Sequence, residues 1–265
     1  MAAVPAFAVP PAANDGVEPL RLAPHVAEAV WRGDELGHQV VETVTSGWTA
    51  LDAELPGGGW PRRSVTEILA AQPSVSEWRL LTPALSQIVQ VGGQVVVIGP
   101  PRHPHLPGLQ HMGLDERQFI WIDADAPAER LWTTEQLIKS NAAGGLVAWL
   151  PKVRSDQLRR LQACALACEG PVFLCRPEIS RHEASAAPLR VHAEPGDDWD
   201  LCVRILKRRG PPHEQPLVLP SIPGGLASVL TPRMRRSTSP ARREAPHELV
   251  GSPVVARQSQ HAAIG

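Results

Sequence analysis

Five apolar runs of strand length constrain this chain more than any other feature: Val65 to Leu69, Gln94 to Ile98, Phe119 to Ile122, Leu146 to Leu150 and Val172 to Cys175. Each is hydrophobic almost without alternation, the pattern of a strand buried on both faces and so of a parallel sheet covered by helices. Segments with helical periodicity separate several of them. Ser76 to Val91 repeats Leu80, Leu81, Ala84, Leu85, Ile88 and Val89 at helical spacing, with Pro83 expected to kink the helix or mark its true start. Asp125 is the expected cap of a helix with Pro127 in its first turn that runs through Leu131 and Ile138 toward Gly144. Ser155 is the expected cap of another, whose stripe of Leu158, Leu161, Ala165 and Cys168 ends at Gly170. Strands alternating with helices predict a doubly wound α/β core. The stretch from Ala187 to Pro220 reads as strands joined by turns and is expected to extend the sheet antiparallel.

A length of 265 residues suits one domain with tails. The domain is expected over 25–231, between a Pro/Ala-rich leader over 1–24 and an Arg-rich tail over 232–265, both expected to be disordered. The leader lacks a basic n-region and its apolar run is broken by prolines, so it does not read as a secretory signal. No stretch approaches 18 uninterrupted apolar residues, so no membrane span is expected, and the expected location is the cytoplasm. Cys164, Cys168, Cys175 and Cys202 show no Cys-x-x-Cys pair, which predicts free thiols. Cys164 and Cys168, four apart, are placed on one helix face. His103, His105 and His111 fall in a proline-broken loop that cannot fix ligand geometry, so no metal is expected. The net charge of −1 is uneven: from Thr231 onward six arginines face two glutamates, a net +4, leaving −5 for the rest. Such a tail suits an acidic partner or phosphates, or serves only as a solvated, solubilising arm.

The stretch "TSGWTALDAELPGGGWPRRSVTEI", Thr45 to Ile68, resembles the segment leading into the core of RecA-type ATPases. It repeats, in order, Ser46–Gly47, Leu51–Asp52, the Gly58–Gly59–x–Pro61 turn and Glu67–Ile68. Carried forward without a gap, that family's G-x-x-x-x-G-K-T phosphate cradle falls on Ala70 to Glu77. Its first glycine becomes Ala70, its second Val75, its lysine Ser76 and its magnesium-holding hydroxyl Glu77. A slip of one residue puts Glu77 at the lysine slot. Neither register leaves the glycines that let backbone N–H groups converge on phosphate or the cation that neutralises it. The second strand, expected to lead to a catalytic glutamate, leads to Gly99, Pro100 and Pro101. The strand expected to end in a magnesium-binding aspartate ends in Trp149 and Leu150. Together with "AVWRGDELG", "DAPAERLWTTEQLIKS" and "VRILKRRGPP", these features resemble the ImuA family over roughly His25 to Pro223. Its members are RecA-like, sometimes SulA-like, accessory proteins of bacterial mutagenic translesion synthesis.

The resemblance implies a RecA-like fold and a non-catalytic adaptor in the SOS response to DNA damage, with no cofactor. It implies docking onto an inactive Y-family polymerase homologue (ImuB-type) and an error-prone C-family DNA polymerase, with RecA itself as a further contact. Interaction candidates are Trp31, Arg32 and Asp34 in a short amphipathic helix, with packing of that helix on its own core as the alternative. Further candidates are Arg204, Lys207, Arg208 and Arg209 around a strand end, and Arg233, Arg235, Arg236, Arg242 and Arg243 in the tail. Trp132 and Trp149 are expected in the core or against another subunit, and Glu129, Arg130 and Glu135 on a solvated helix face. Gln215 to Leu219 is expected to close the sheet. The segments "PKVRSD" and "RPEISRHEASAAP", where active recombinases carry long DNA-binding loops, are short, so any DNA binding is expected to be weak and sequence-independent. Two rivals stand beside the adaptor: an NTPase that uses Arg79 with backbone amides, and a SulA-like cell-division inhibitor that binds a tubulin-like filament protein.

Overall fold

The computed structural model describes residues 42–103, 105–222 and 226–231. Trp31, Arg32 and Asp34, and the tail arginines from Arg233 to Arg243, lie outside the described residues. A two-stranded ribbon pairs β1 (Thr43–Val44) with β2 (Trp60–Pro61), and the short helix α1 (Thr49–Asp52) lies between them in sequence. The main sheet has eight strands. They are β3 (Val65–Ala70), β4 (Val95–Ile98), β5 (Phe119–Ile122), β6 (Gly145–Trp149), β7 (Val172–Pro177), β8 (Leu189–Pro195), β9 (Asp200–Lys207) and β10 (Leu217–Pro220). Their spatial order is β10-β9-β8-β3-β7-β6-β4-β5. Strands β3 to β8 are mutually parallel, while β9 runs antiparallel to β8, and β10 to β9. The molecule is α/β with a mostly parallel sheet and antiparallel strands on its C-terminal side, as the alternation of patterns predicts.

Helix α2 (Ser76–Gln90) covers one face of the sheet. Its Leu80, Leu81, Leu85 and Ile88 pack with Val95, Val97, Val147 and Phe173. The opposite face carries α4 (Pro127–Ser140) and α5 (Ser155–Ala165), whose Ile138, Leu158 and Leu161 pack with Val96, Ile98, Leu146 and Leu174. Alternate residues of the same strands serve the two layers, which is why β4 and β6 read as continuous apolar runs. Each fully buried leucine contributes about 1.5–3 kcal/mol. A short helix α3 (Leu106–His111) precedes β5.

Several local expectations are corrected. Pro83 neither starts nor ends α2 but lies inside it. Thr82 Oγ1 donates to Trp78 O at 2.5 Å, and Trp48 Nε1 donates to Leu80 O at 3.0 Å. Side chains thereby bond carbonyls next to the proline, where the ring disturbs the helical ladder. Residue Ala126, not Asp125, stands at the start of α4, and Asn141 in the left-handed region (φ 50°) ends it before Gly144 is reached. Ser155 is the first residue of α5 and its cap position is held by Arg154, whose N–H donates to Gln157 Oε1 at 2.9 Å. Cys168 lies beyond the end of α5, so it shares no helix face with Cys164. Strand β5 is a sheet edge and only half-buried, with Ile120 40 % exposed, because nothing pairs on its outer side among the described residues. Glu135 is buried and bonded to Lys139 and Arg160, bonds that hold its carboxyl below the usual range, Lys139 contributing most. Trp132, by contrast, is 63 % exposed and belongs to no core.

Candidate functional site

In an open α/β sheet the crevice outside the carboxyl ends of the parallel strands is where ligands bind. Here that edge is formed by the ends of β3, β7, β6 and β4. Strand β3 ends at Ala70, a five-residue loop follows, and α2 begins at Ser76. The geometry is therefore strand, loop, helix N-terminus, the arrangement that presents backbone N–H groups and a partial positive charge to an anion. The occupant of that position is a side chain of the protein itself. Glu77 is buried, and its carboxylate folds back over the start of its own helix. Glu77 Oε2 accepts from Val75 N at 3.2 Å, and Oε1 accepts from the indole Nε1 of Trp149, the last residue of β6, also at 3.2 Å. The Trp149 ring is fixed in turn against Trp78, centroids 5.4 Å apart. Two positions at which the sequence departs from the RecA-type pattern, the hydroxyl slot and the aspartate slot, are thus bonded to each other.

What remains of the crevice is a hollow of about 80 Å³ beside Glu77 and Trp149, against roughly 300–1,000 Å³ for small-molecule sites. Pro73, Pro101, Pro151 and Pro177 line it, one from the loop and one from beyond or at the end of each neighbouring strand. Proline has no N–H, so four backbone positions at this edge offer no donor to a phosphate. Position Gly99, where a catalytic glutamate is expected in the ATPase pattern, adopts φ +52°. A Cβ there would meet Arg130 Nε at 2.5 Å. Arg130, expected on a solvated face, is half-buried over this glycine and donates through Nε to Ala124 O at 2.5 Å. Burial, and secondarily the Glu77 charge, pushes the Cys175 thiol well above its ordinary value, which disfavours the thiolate. Among the described residues no group of three or more His, Cys, Asp or Glu side chains could hold a metal ion. His105 caps α3, His111 Nδ1 lies 2.8 Å from Pro107 O, and His103 stacks on Trp121.

The floor of the same edge contains a buried charge cluster that sequence reasoning did not find. Glu67 on β3 is fully buried between Arg176 of β7 and Arg190 of β8. Its Oε1 accepts from Arg176 Nη1 at 2.7 Å and its Oε2 from Arg190 Nε at 2.5 Å. Arg176 continues to Glu183 Oε2 at 2.7 Å, and Arg190 donates to Ser180 O at 2.6 Å. Arg190 holds the turn Glu178–His182 against the sheet through the Ser180 and Arg181 carbonyls, and Arg176 ties Glu67 to Glu183 and to Val153 O. Arg176 also lines the hollow beside Glu77, with both of its terminal nitrogens already bonded to Glu67, Val153 O and Glu183.

No protein-family profile matches the chain. It is 29% identical over 111 residues to Protein RecA of Bacillus licheniformis, a match covering 41% of this chain and 32% of that protein. To Protein RecA of Streptomyces ambofaciens it is 28% identical over 114 residues, covering 43% and 30% respectively. The relationship is a distant, RecA-like one. The chain spans about a third of the length of the curated relatives it matches.

The remaining candidates are scattered. Arg204 is exposed in the middle of β9, 4.0 Å from Glu194, and Lys207 donates to Ser185 O at 3.0 Å. Arg208 bonds Glu54 and Pro211 O, while Arg209 is exposed near the amino ends of the parallel strands. Arg79, the cation invoked for an unorthodox nucleotide site, is bonded to the carbonyls of Trp199, Asp200 and Ser221 instead. Burial lowers its pKa, and Asp200 partly offsets that.

Proposed function

We propose that this protein is a non-catalytic adaptor, a RecA-like domain that has given up nucleotide chemistry and acts through its surfaces. The observation that carries the reading is the Glu77 carboxylate, bonded by the Val75 N–H and the Trp149 indole where an ATPase would seat a phosphate. A second negative charge brought to that spot meets Coulomb repulsion in a buried setting and finds no metal carboxylate or lysine to offset it. Together with the ImuA-like motifs, this supports a place in SOS-induced mutagenic translesion synthesis in the cytoplasm, beside an inactive Y-family polymerase homologue and an error-prone C-family polymerase. The absence of any helix long and apolar enough to cross a membrane among the described residues is compatible with that setting.

Calorimetric titration of the full chain with magnesium and ATP is expected to give no binding heat, and micromolar affinity would overturn the non-catalytic reading. Co-purification from DNA-damaged cells is expected to retain the two polymerases. Retention of a tubulin-like filament protein in their place would overturn the adaptor's assignment to translesion synthesis.

A further inference from the structure

At the edge opposite Glu77, where β3 and β8 begin, a cleft of about 390 Å³ opens between the β1–β2 ribbon and the end of α5. Three of its lining residues are arginines, Arg62, Arg63 and Arg209, against a single carboxylate, Glu42. Glu42 does little to neutralise them: its Oε2 lies 3.8 Å from Arg63 Nε and both side chains are more than half exposed. Arg62 is held in place by donating to Glu169 O at 3.2 Å and by its backbone N–H to Glu42 O at 2.8 Å. The backbone of Arg63 is strained. Its φ is +52°, a conformation that costs an arginine where glycine would adopt it without penalty, and this chain keeps the arginine.

Apart from Ser64, the remaining walls are apolar. Pro61, Pro188 and Leu189 line the cleft, and Leu166 beside them is 59 % exposed. Arginine is the side chain suited to forked pairing with carboxylates, and an exposed leucine beside it offers apolar surface for a partner's side chain to cover. A bare phosphate makes no use of proline and leucine walls. A neutral apolar segment leaves three guanidinium groups without a counter-charge.

We propose that this cleft binds a short acidic peptide segment of a partner protein, its carboxylates on Arg62, Arg63 and Arg209 and one large apolar side chain against Leu166 and Pro188. The site lies at the far end of the sheet from the filled crevice and does not depend on what that crevice does.

The test is fluorescence anisotropy of the full chain with a labelled octapeptide of three aspartates, leucine, phenylalanine and three aspartates. The expected result is saturable binding that falls with added salt. Replacing the central pair by two glycines, or all aspartates by asparagines, is expected to weaken binding about tenfold or more, a loss of roughly 1.4 kcal/mol. Arg63→Gly removes a guanidinium while relieving the positive φ, so it is expected to lose about as much affinity yet melt no lower than the parent. Arg209→Glu, at an exposed position, supplies a second test if the glycine variant folds poorly. Equal binding of the glycine-centred peptide, affinity unchanged by Arg209→Glu, or displacement by inorganic phosphate at lower concentration than by unlabelled peptide would each overturn the proposal.

Discussion

Glu77 has a donor on each carboxylate oxygen and a helix N-terminus behind it, so the buried charge is compensated from three directions. Substitution disturbs this in a graded way. In Glu77→Gln one oxygen becomes an NH2 group that faces either the Val75 N–H or the Trp149 indole, donor against donor, and about 1–3 kcal/mol of stability is lost. Trp149→Phe strands the other oxygen and costs a similar amount. Because the two side chains share one bond, the double variant is expected to lose less than the sum, which a double-mutant cycle in urea measures. Glu77→Lys places an ammonium among the donors, destabilises at least as much as Glu77→Gln, and gives no ATP hydrolysis in a phosphate-release assay, since the glycines and metal carboxylates are still missing. A gain of hydrolysis in Glu77→Lys would show that the cradle is intact but for one charge.

Helix α2 shows how an element survives a residue that its own propensity forbids. Pro83 removes the N–H that would reach Arg79 O, at a cost of ~3 kcal/mol in an ordinary helix interior. Trp48 lies 32 residues before Leu80 and its indole donates to Leu80 O, while Gly47 next to it lies so close that a Cβ would stand 2.4 Å from Pro83 Cβ. The Ser46–Gly47–Trp48 loop, tied by Ser46 N donating to Asp52 Oδ1 at 2.8 Å, packs against the helix at Pro83. Trp48→Phe is accordingly expected to cost about 1–2 kcal/mol in the parent and clearly less in a Pro83→Ala background, where the helical ladder can supply its own donors. Equal costs in the two backgrounds, measured by chemical denaturation, would mean that the indole bond is unrelated to the proline. This element also marks where sequence reading stops. The apolar stripe of α2 and the strands around it were legible because burial in a covered parallel sheet leaves a local signature. The compensation of Pro83 was not, since it depends on a residue brought in by tertiary structure. The candidate site divides the same way. The loss of glycine, lysine and carboxylates could be read position by position from Ala70, Val75 and Gly99. That Glu77 and Trp149, 72 residues apart, bond to each other could not, nor could the pairing of Glu67, read only as part of the RecA-type motif, with Arg176 and Arg190 from two distant strands.

At the scale of the whole molecule, the antiparallel strands join the parallel core through the β8–β9 backbone ladder, and Arg79 adds a side-chain fastener between them and α2. It projects from α2 and donates to the carbonyls of Trp199 and Asp200 at the start of β9 and to both backbone and side chain of Ser221 just past β10. A single guanidinium thus closes β9 and β10 onto the helix that also carries Glu77, and it does so with a cation that burial makes costly to charge. Removing it leaves the Asp200 and Ser221 carbonyls short of a donor in a partly buried place, at roughly 1–3 kcal/mol for such groups. The packing of β8 against β3, which involves Leu189, Val191 and Ala193, is untouched. Arg79→Ala is therefore expected to act locally. Amide hydrogen exchange should rise by about tenfold or more over 200–220, a loss of roughly 1.4 kcal/mol of local protection. Protection of β3, β6 and β7 should keep close to its parent value. Uniform loss of protection across the sheet would show that the C-terminal strands and the core open as one cooperative unit, and that Arg79 holds the whole sheet rather than its antiparallel edge.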